Sequence, residues 1–124
     1  MKKWDVVLLK FPFTDLQSSK VRPAIVISPN SYHQTGQDGV FILVTSNTDR
    51  RSPYDVIVAQ DHEEFVCAGF KKESAIRADK IMVLNKNTVT KTIGKIGPKL
   101  SLEIEAKLRE FLQLPPYQPP LASK

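Results

Sequence analysis

The polar residues that could carry chemistry in this chain stand where predicted strands begin or end. Arg22 opens one apolar run, Thr45 and Ser46 close another, and Arg77 and Asp79 lie two positions apart in a third. The sequence has no cluster of metal-ligand residues, no glycine-rich phosphate loop and no cysteine–histidine pair at catalytic spacing. Any site must therefore be built from arginine, hydroxyl and carboxylate groups.

These groups suit a reaction on a phosphodiester of RNA. The substrate's own 2′-hydroxyl is then the nucleophile, so the protein needs only to move protons and to stabilise the charge that builds on the phosphorus. The planar fork of Arg22 or Arg77 matches phosphate oxygens and stays charged. Asp79 is the candidate for proton transfer, and the hydroxyls of Thr45 and Ser46 are candidate hydrogen-bond donors to the phosphate.

The same residues also have plainer interpretations. From spacing alone, Arg77 and Asp79 favour a surface ion pair on one face of a strand. Thr45 and Ser46 are also ordinary residues for the end of a strand.

The remaining reactive side chains do not indicate a second site. His33 and His62 both fall in predicted loops, and we interpret them as solvated. Cys67 is the single cysteine and has no metal-ligand partner nearby, so we interpret it as a small buried or half-buried apolar residue.

Length and charge set the class of protein. The chain has 124 residues, which fits one domain, here residues 1–114, and the proline-rich residues 115–124 are predicted to be a mobile tail. A net charge of +5 suits a polyanionic partner such as nucleic acid. The first apolar run, residues 6–9, is too short for a signal peptide or a membrane span. We therefore expect a cytoplasmic protein with no membrane partner.

The apolar pattern predicts a mainly β protein with one helix. Short apolar or alternating runs predict strands over residues 5–11, 21–28, 40–46, 54–59, 74–84 and, more weakly, 89–96.

The segments between the strands are less regular. Residues 31–39 are predicted to be a long hairpin connection, and residues 60–69 fit either a short helical turn or a loop. Ser101 is predicted to cap a helix that ends before Pro115, because an apolar stripe follows it. The whole predicts an antiparallel barrel or sandwich carrying one helix.

The order of short motifs along the chain resembles the MazF/PemK family of toxin-like endoribonucleases. The motifs are Asp5-Val6-Val7-Leu8, Phe11-Pro12-Phe13-Thr14-Asp15, Lys20 to Ser28 with its Arg-Pro pair, Val44-Thr45-Ser46, and Ile76-Arg77-Ala78-Asp79-Lys80-Ile81. They run from about Trp4 to Leu114, and their order is more specific than any one of them.

The resemblance implies a small SH3-like antiparallel β-barrel with a C-terminal α-helix, forming a homodimer. It implies a cofactor-free and metal-independent endoribonuclease that cuts single-stranded RNA at short sequence motifs. The products would carry a 2′,3′-cyclic phosphate and a 5′-hydroxyl. The implied partners are single-stranded RNA and an acidic antitoxin that occupies the same groove.

The resemblance also assigns roles to residues. Arg22 and Thr45 match the catalytic positions of the family, and Arg77 and Asp79 match a pair used in its PemK branch. We expect further RNA contacts from the polar loop, the basic pair and the strand end beside these residues, namely Thr14, Ser18, Ser19, Lys20, Ser46, Arg50 and Arg51.

One residue departs from the family pattern, and one alternative function belongs to the same superfamily. Trp4 stands where family members commonly have glycine. The broader superfamily also contains barrels that inhibit DNA gyrase without cutting RNA, so the alternative is a non-catalytic protein that binds RNA or inhibits a protein target. The joint presence of Arg22, Thr45, Arg77 and Asp79 favours the nuclease.

Overall fold

The computed structural model describes residues 1–10, 21–49 and 51–115. Each strand coincides with a run rich in β-branched residues, as the residue pattern predicts. The strands are β1 (Asp5–Lys10), β2 (Val21–Val26), β3 (Asp38–Thr45), β4 (Asp55–Val58), β5 (Ser74–Asn85) and β6 (Val89–Lys95). The helices are α1 (Asn30–Thr35), α2 (Phe65–Ala68) and α3 (Pro98–Leu112), and a 3-10 turn (Lys86–Thr88) joins β5 to β6.

The six strands form one antiparallel sheet in the order β4-β5-β3-β2-β1-β6. The predicted mainly-β, antiparallel fold with a C-terminal helix is confirmed, and β4 and β6 are the edges of the described sheet. The predicted polar loop that begins at Thr14 lies outside the described residues, and so does the tail beyond Pro115.

Apolar side chains pack on both faces of the sheet, because successive residues of a strand point to opposite sides. On one face, Val6, Ile25 and Ile42 belong to a buried cluster that includes Leu100 and Ile104 of α3. On the other face, a second cluster contains Val7, Leu9, Ala24, Val26, Phe41 and Leu84. Helix α3 therefore covers the first face at its apolar stripe.

Residues 31–39 lead from β2 to its antiparallel neighbour β3, so the predicted hairpin connection is confirmed, but α1, which was not predicted, occupies its first half. The prediction that His33 is solvated is wrong, since His33 is 2% exposed. Its Nδ1 lies 3.0 Å from the buried Oγ of Ser28, which also accepts a hydrogen bond from the Val40 backbone N–H. The polar local sequence predicts a loop, whereas tertiary contacts with Ser28 and β3 bury His33.

Helix α3 begins at Pro98, three residues before the predicted cap Ser101. Gly97 at the N-cap position has no side chain to offer, so a distant carboxylate takes that role. The two oxygens of Glu64 accept hydrogen bonds from the N–H groups of Lys99 and Leu100, each at 2.9 Å. The prediction failed because the cap comes from another part of the chain.

Three further residues, Cys67, Trp4 and His62, bear on the predictions made from the sequence. Cys67 is exposed rather than buried, because α2 is a single turn that presents this position to solvent. Trp4 adopts a left-handed backbone conformation with φ of 75°, which accounts for the glycine that the family favours there. His62 is half-buried, and its Nδ1 accepts a hydrogen bond from the Glu64 N–H.

None of the described helices has the length and apolar character needed to cross a membrane.

Candidate nucleic-acid site

The register of the sheet places three predicted site residues on one face. Ala24 of β2 lies opposite Leu43 of β3, and Leu43 lies opposite Arg77 of β5. Arg22 is two residues before Ala24, and Thr45 is two residues after Leu43, so both point to the same face as Arg77. Residues that are diagonal neighbours on adjacent strands lie about 7–8 Å apart, which is the relation of Thr45 to Arg77.

A groove of about 820 Å³ opens at this end of the sheet. Arg22, Thr45 and Ser46 contribute to its lining, as do Leu8 of β1 and Ser74 of β5. Arg77 and Asp79 are not among the described residues that line it. The site therefore has two adjoining parts, which are the groove and a cluster of charges beside it.

The charge cluster holds Arg77 between two carboxylates. The Nε of Arg77 lies 3.4 Å from the Oδ1 of Asp55 and 4.0 Å from the Oδ1 of Asp79. The Asp55 side chain is 2% exposed, and those of Arg77 and Asp79 are 25% and 19% exposed. These three atoms are buried and make no hydrogen bond within the described structure. The predicted Arg77–Asp79 pair thus exists, but it is partly buried and shared with a second acid.

Ser52 joins the two acids of the charge cluster. Its N–H donates to the Oδ2 of Asp55 at 3.0 Å, and its hydroxyl donates to the Oδ2 of Asp79 at 3.1 Å. The Ser52 hydroxyl in turn accepts from the Tyr54 N–H. The connection between β3 and β4 is thereby tied to β5.

Asp79 lies in an irregular part of β5. Ile42 pairs with Ile81 and the next residue, Leu43, pairs with Arg77, so residues 78–80 have no partner on β3. Such bulges re-aim side chains and are common beside active sites. Asp55 and Ser52 were not identified from the sequence, where a serine and an acid flanking a turn carry no signal of their own.

The hydroxyls at the end of β3 remain able to bind an anion. The Thr45 Oγ1 accepts a hydrogen bond from the Asn47 N–H at 3.1 Å, which leaves its own proton free for donation. Arg51 is directed to its own loop, because its Nε donates to the Thr48 carbonyl oxygen. Five of the predicted RNA contacts lie outside the described residues, namely Thr14, Ser18, Ser19, Lys20 and Arg50.

The groove is more basic than the sequence indicated. Lys71 and Lys72, from the connection between α2 and β5, and Lys91 of β6 line it together with Arg22. No acidic side chain is among its described lining residues. The Lys71-Lys72 doublet was the available signal, but only the fold brings it next to β2 and β6. Four positive charges and several hydroxyls can together hold a polyanion.

The described residues contain no group of three histidine, cysteine or acidic side chains close enough to hold a metal ion. The guanidinium, ammonium and hydroxyl groups of the groove are donors suited to binding an anion.

Solved structures confirm the fold. An endoribonuclease from a mycobacterial species, in complex with its cognate antitoxin, is 20% identical, with a TM-score of 0.72 over 93% of this chain and 97% of that one. The toxin MazF-mt6 of Mycobacterium tuberculosis is 13% identical, with a TM-score of 0.71 over 90% and 98% of the two chains. MazF of Deinococcus radiodurans is 20% identical, with a TM-score of 0.70 over 91% and 96%.

Sequence comparison gives the family directly. No curated protein matches this chain significantly. The family model described as "PemK-like, MazF-like toxin of type II toxin-antitoxin system" matches residues 2–112, which is nearly the whole chain and contains every residue of the groove and the charge cluster. The chain belongs to this family of PemK-like, MazF-like toxins.

Proposed function

We propose that this protein is an endoribonuclease that cuts single-stranded messenger RNA in the cytoplasm by attack of the substrate's 2′-hydroxyl. The observation that supports the proposal is the register of the sheet: Arg22, Thr45 and Arg77 share one face, and Arg22 and Thr45 line a basic groove beside Arg77. The similar mycobacterial protein is described as an endoribonuclease, which supports the same reaction here.

Each group has a distinct role in the proposed reaction. Arg22 binds the scissile phosphate and stabilises the charge that builds on its oxygens. Thr45 donates a hydrogen bond that orients the phosphate, and Arg77 adds charge from the adjoining cluster. Asp79 accepts the proton of the 2′-hydroxyl as its oxygen bonds to phosphorus. The bond from phosphorus to the 5′-oxygen then breaks and that oxygen takes a proton from solvent, which leaves a 2′,3′-cyclic phosphate and a 5′-hydroxyl.

We further propose that the active form is a homodimer and that an acidic antitoxin neutralises it. The net charge of +5 suits an acidic partner. Structures similar to this chain include an endoribonuclease with its cognate antitoxin and a MazE–MazF pair. Light scattering of the purified protein measures the first of these proposals directly.

The test compares wild-type protein with Arg22→Ala on a long RNA of mixed sequence in EDTA, with both new ends mapped. We expect discrete wild-type cuts bearing cyclic phosphates. Loss of a phosphate-binding donor should lower the cutting rate by a factor of about 100 to 1,000. Arg109→Ala on α3 is the matched control, because it removes the same charge outside the groove lining.

The possible outcomes separate the hypotheses. Full-rate cutting by a folded Arg22→Ala protein would show that the site assignment is wrong. Absence of cutting by folded wild-type protein at any concentration would refute the nuclease and favour the alternative, a protein that binds RNA or a protein target without cutting.

A further inference from the structure

Three lysines of the groove have no role in the proposed reaction. Lys71, Lys72 and Lys91 are exposed and line the groove that also contains Arg22 and Thr45. Exposed lysines on loops are ordinarily mobile and of no consequence. The question is therefore whether the fold holds these three in place.

One end of the Lys71–Lys72 segment is anchored by backbone packed directly on backbone. Gly69 ends α2 with φ of 81°, and a Cβ there would lie 2.2 Å from the carbonyl oxygen of Ile93 on β6. A Cβ on Gly94 would lie 2.3 Å from the carbonyl group of Ala68. The residue after Gly69 is Phe70, which is 9% exposed and belongs to the core. The chain that enters the segment is thus locked onto β6.

The other end of the segment is held by hydrogen bonds. The Ser74 hydroxyl donates to the carbonyl oxygen of Lys72 at 2.9 Å. The carboxylate of Glu73 accepts from the Thr48 hydroxyl at 3.2 Å, which directs the nearest acid in the sequence to the β3–β4 connection. Both lysines therefore project from a backbone that is fixed on each side.

Lys91 stands across the sheet from the start of β2. It lies opposite Leu8 of β1, and Leu8 lies opposite Pro23. Two strand spacings of about 4.8 Å separate Lys91 from Pro23, or roughly 10 Å in all. The hydroxyls of Thr92 and Ser46 also line the groove. Arg22 is one residue before Pro23 and so points to the opposite face at this end of the sheet, yet Arg22 and Lys91 both line the groove. Positive charges therefore reach the groove from both sides, with hydroxyl donors among them.

We propose that Lys71, Lys72 and Lys91 bind the phosphates that flank the scissile one in the same RNA strand. This inference rests on the proposed function and adds a second contact region to it. The subsite binds backbone rather than bases, because its aromatic residue, Phe70, is committed to the core and its exposed groups are ammonium ions and hydroxyls. It favours long strands over short ones and is indifferent to base sequence.

The test measures how RNA affinity depends on salt. The probe is a 2′-O-methylated RNA of mixed sequence, which stays intact because its nucleophile is blocked. Each lysine that contacts a phosphate of single-stranded nucleic acid makes the fall of log K with log salt steeper by about 0.7. Lys71→Ala/Lys72→Ala should therefore reduce the steepness of this fall by about 1.4. Between 50 and 200 mM salt, the variant should lose about sevenfold less affinity than wild type.

Lys2→Ala/Lys95→Ala is the matched control. It removes the same net charge from two exposed positions outside the described groove lining. The control should keep the wild-type slope. Unmodified RNA gives a second readout: the Lys71/Lys72 variant should lose the preference for long over short substrates while it still cuts at the same bases.

The outcomes separate this inference from the proposed function. A wild-type slope in a Lys71/Lys72 variant that still cuts RNA would overturn the inference alone. If wild-type protein never cuts RNA but its salt slope is steeper than that of the Lys71/Lys72 variant, the result would support the inference and overturn the proposed nuclease. Poly-glutamate is a further probe: if the Lys71/Lys72 variant lost binding to it but bound RNA as wild type does, the lysines would bind an acidic protein and the inference would be overturned.

Discussion

Replacing Glu64 with alanine should destabilise the protein more than any other single acidic substitution that we consider. Glu64 is 7% exposed, and its two oxygens accept the N–H groups of Lys99 and Leu100 at the start of α3. Gly97 offers no side chain there. The variant would therefore leave the first turn of the only long described helix without its cap.

The magnitude follows from the two hydrogen bonds. A hydrogen bond to a charged group contributes about 1.5–3 kcal/mol. Lys99 is exposed, so water can replace the carboxylate at its N–H. Leu100 is fully buried, so its N–H would lose its partner without gaining water. We expect Glu64→Ala to lower the free energy of unfolding by about 3 kcal/mol, and Glu64→Gln, which keeps one acceptor, by about half as much.

The assay is thermal unfolding followed by circular dichroism. For a chain of this length, about 3 kcal/mol corresponds to a fall in Tm of about 10 °C. Urea titration should give the same loss with an unchanged m-value, since the denatured state is the same.

Glu63→Ala is the matched control. A side-chain hydrogen bond from Lys99, and then its positive charge, hold the pKa of Glu63 below its usual range. A depressed carboxylate pKa contributes stability above the unfolded pKa and loses it as the pH falls. Both partners are well exposed, however, and salt screens such pairs, so Tm at pH 7 should not change measurably. Equal losses for Glu63→Ala and Glu64→Ala would refute the capping explanation.

Three further substitutions test a close backbone contact, a strained backbone conformation and a buried hydrogen bond. Gly94→Ala should lower the free energy of unfolding by about 3 kcal/mol or prevent folding, because the new Cβ would collide with the Ala68 backbone. Any folded fraction should bind RNA more weakly, and a wild-type Tm would contradict the prediction. Trp4→Gly should be more stable than Trp4→Ala by about 1 kcal/mol and so should have the higher Tm, because φ of 75° strains alanine; the reverse order would refute the strain. Ser28→Ala should lower stability by about 1–3 kcal/mol in urea titration, since the Val40 N–H loses its buried acceptor; an unchanged midpoint would refute this.

The proposed catalytic residues were predictable because their signals are local. Arg22 precedes a rigid proline at the start of an apolar run, and Thr45 closes another such run. Strand ends meet at the edges of a sheet, so polar residues there are site candidates before any fold is known. Arg22 and Arg77 share a face because β2 and β5, which are far apart in the chain, both pair with β3. The sequence motifs suggested that these two residues act together only through the family resemblance.

The partners of these residues were not predictable. Asp55 meets Arg77 only because β4 pairs with β5, and Asp79 meets Ser52 only because β5 bulges. Lys71 joins Arg22 in one groove because two glycines let α2 pack onto β6. None of these contacts leaves a periodic trace in the sequence.

The sequence by itself determined where the strands lie and that α3 carries an apolar stripe, because hydrophobic periodicity is a property of neighbouring residues. Tertiary structure alone decided where α3 begins, whether His33 is buried, and which charges surround Arg77. The physical reason is the distance along the chain between the interacting groups. Glu64 caps α3 from 35 and 36 residues away, and a hydrogen bond over that separation exists only once the chain has folded.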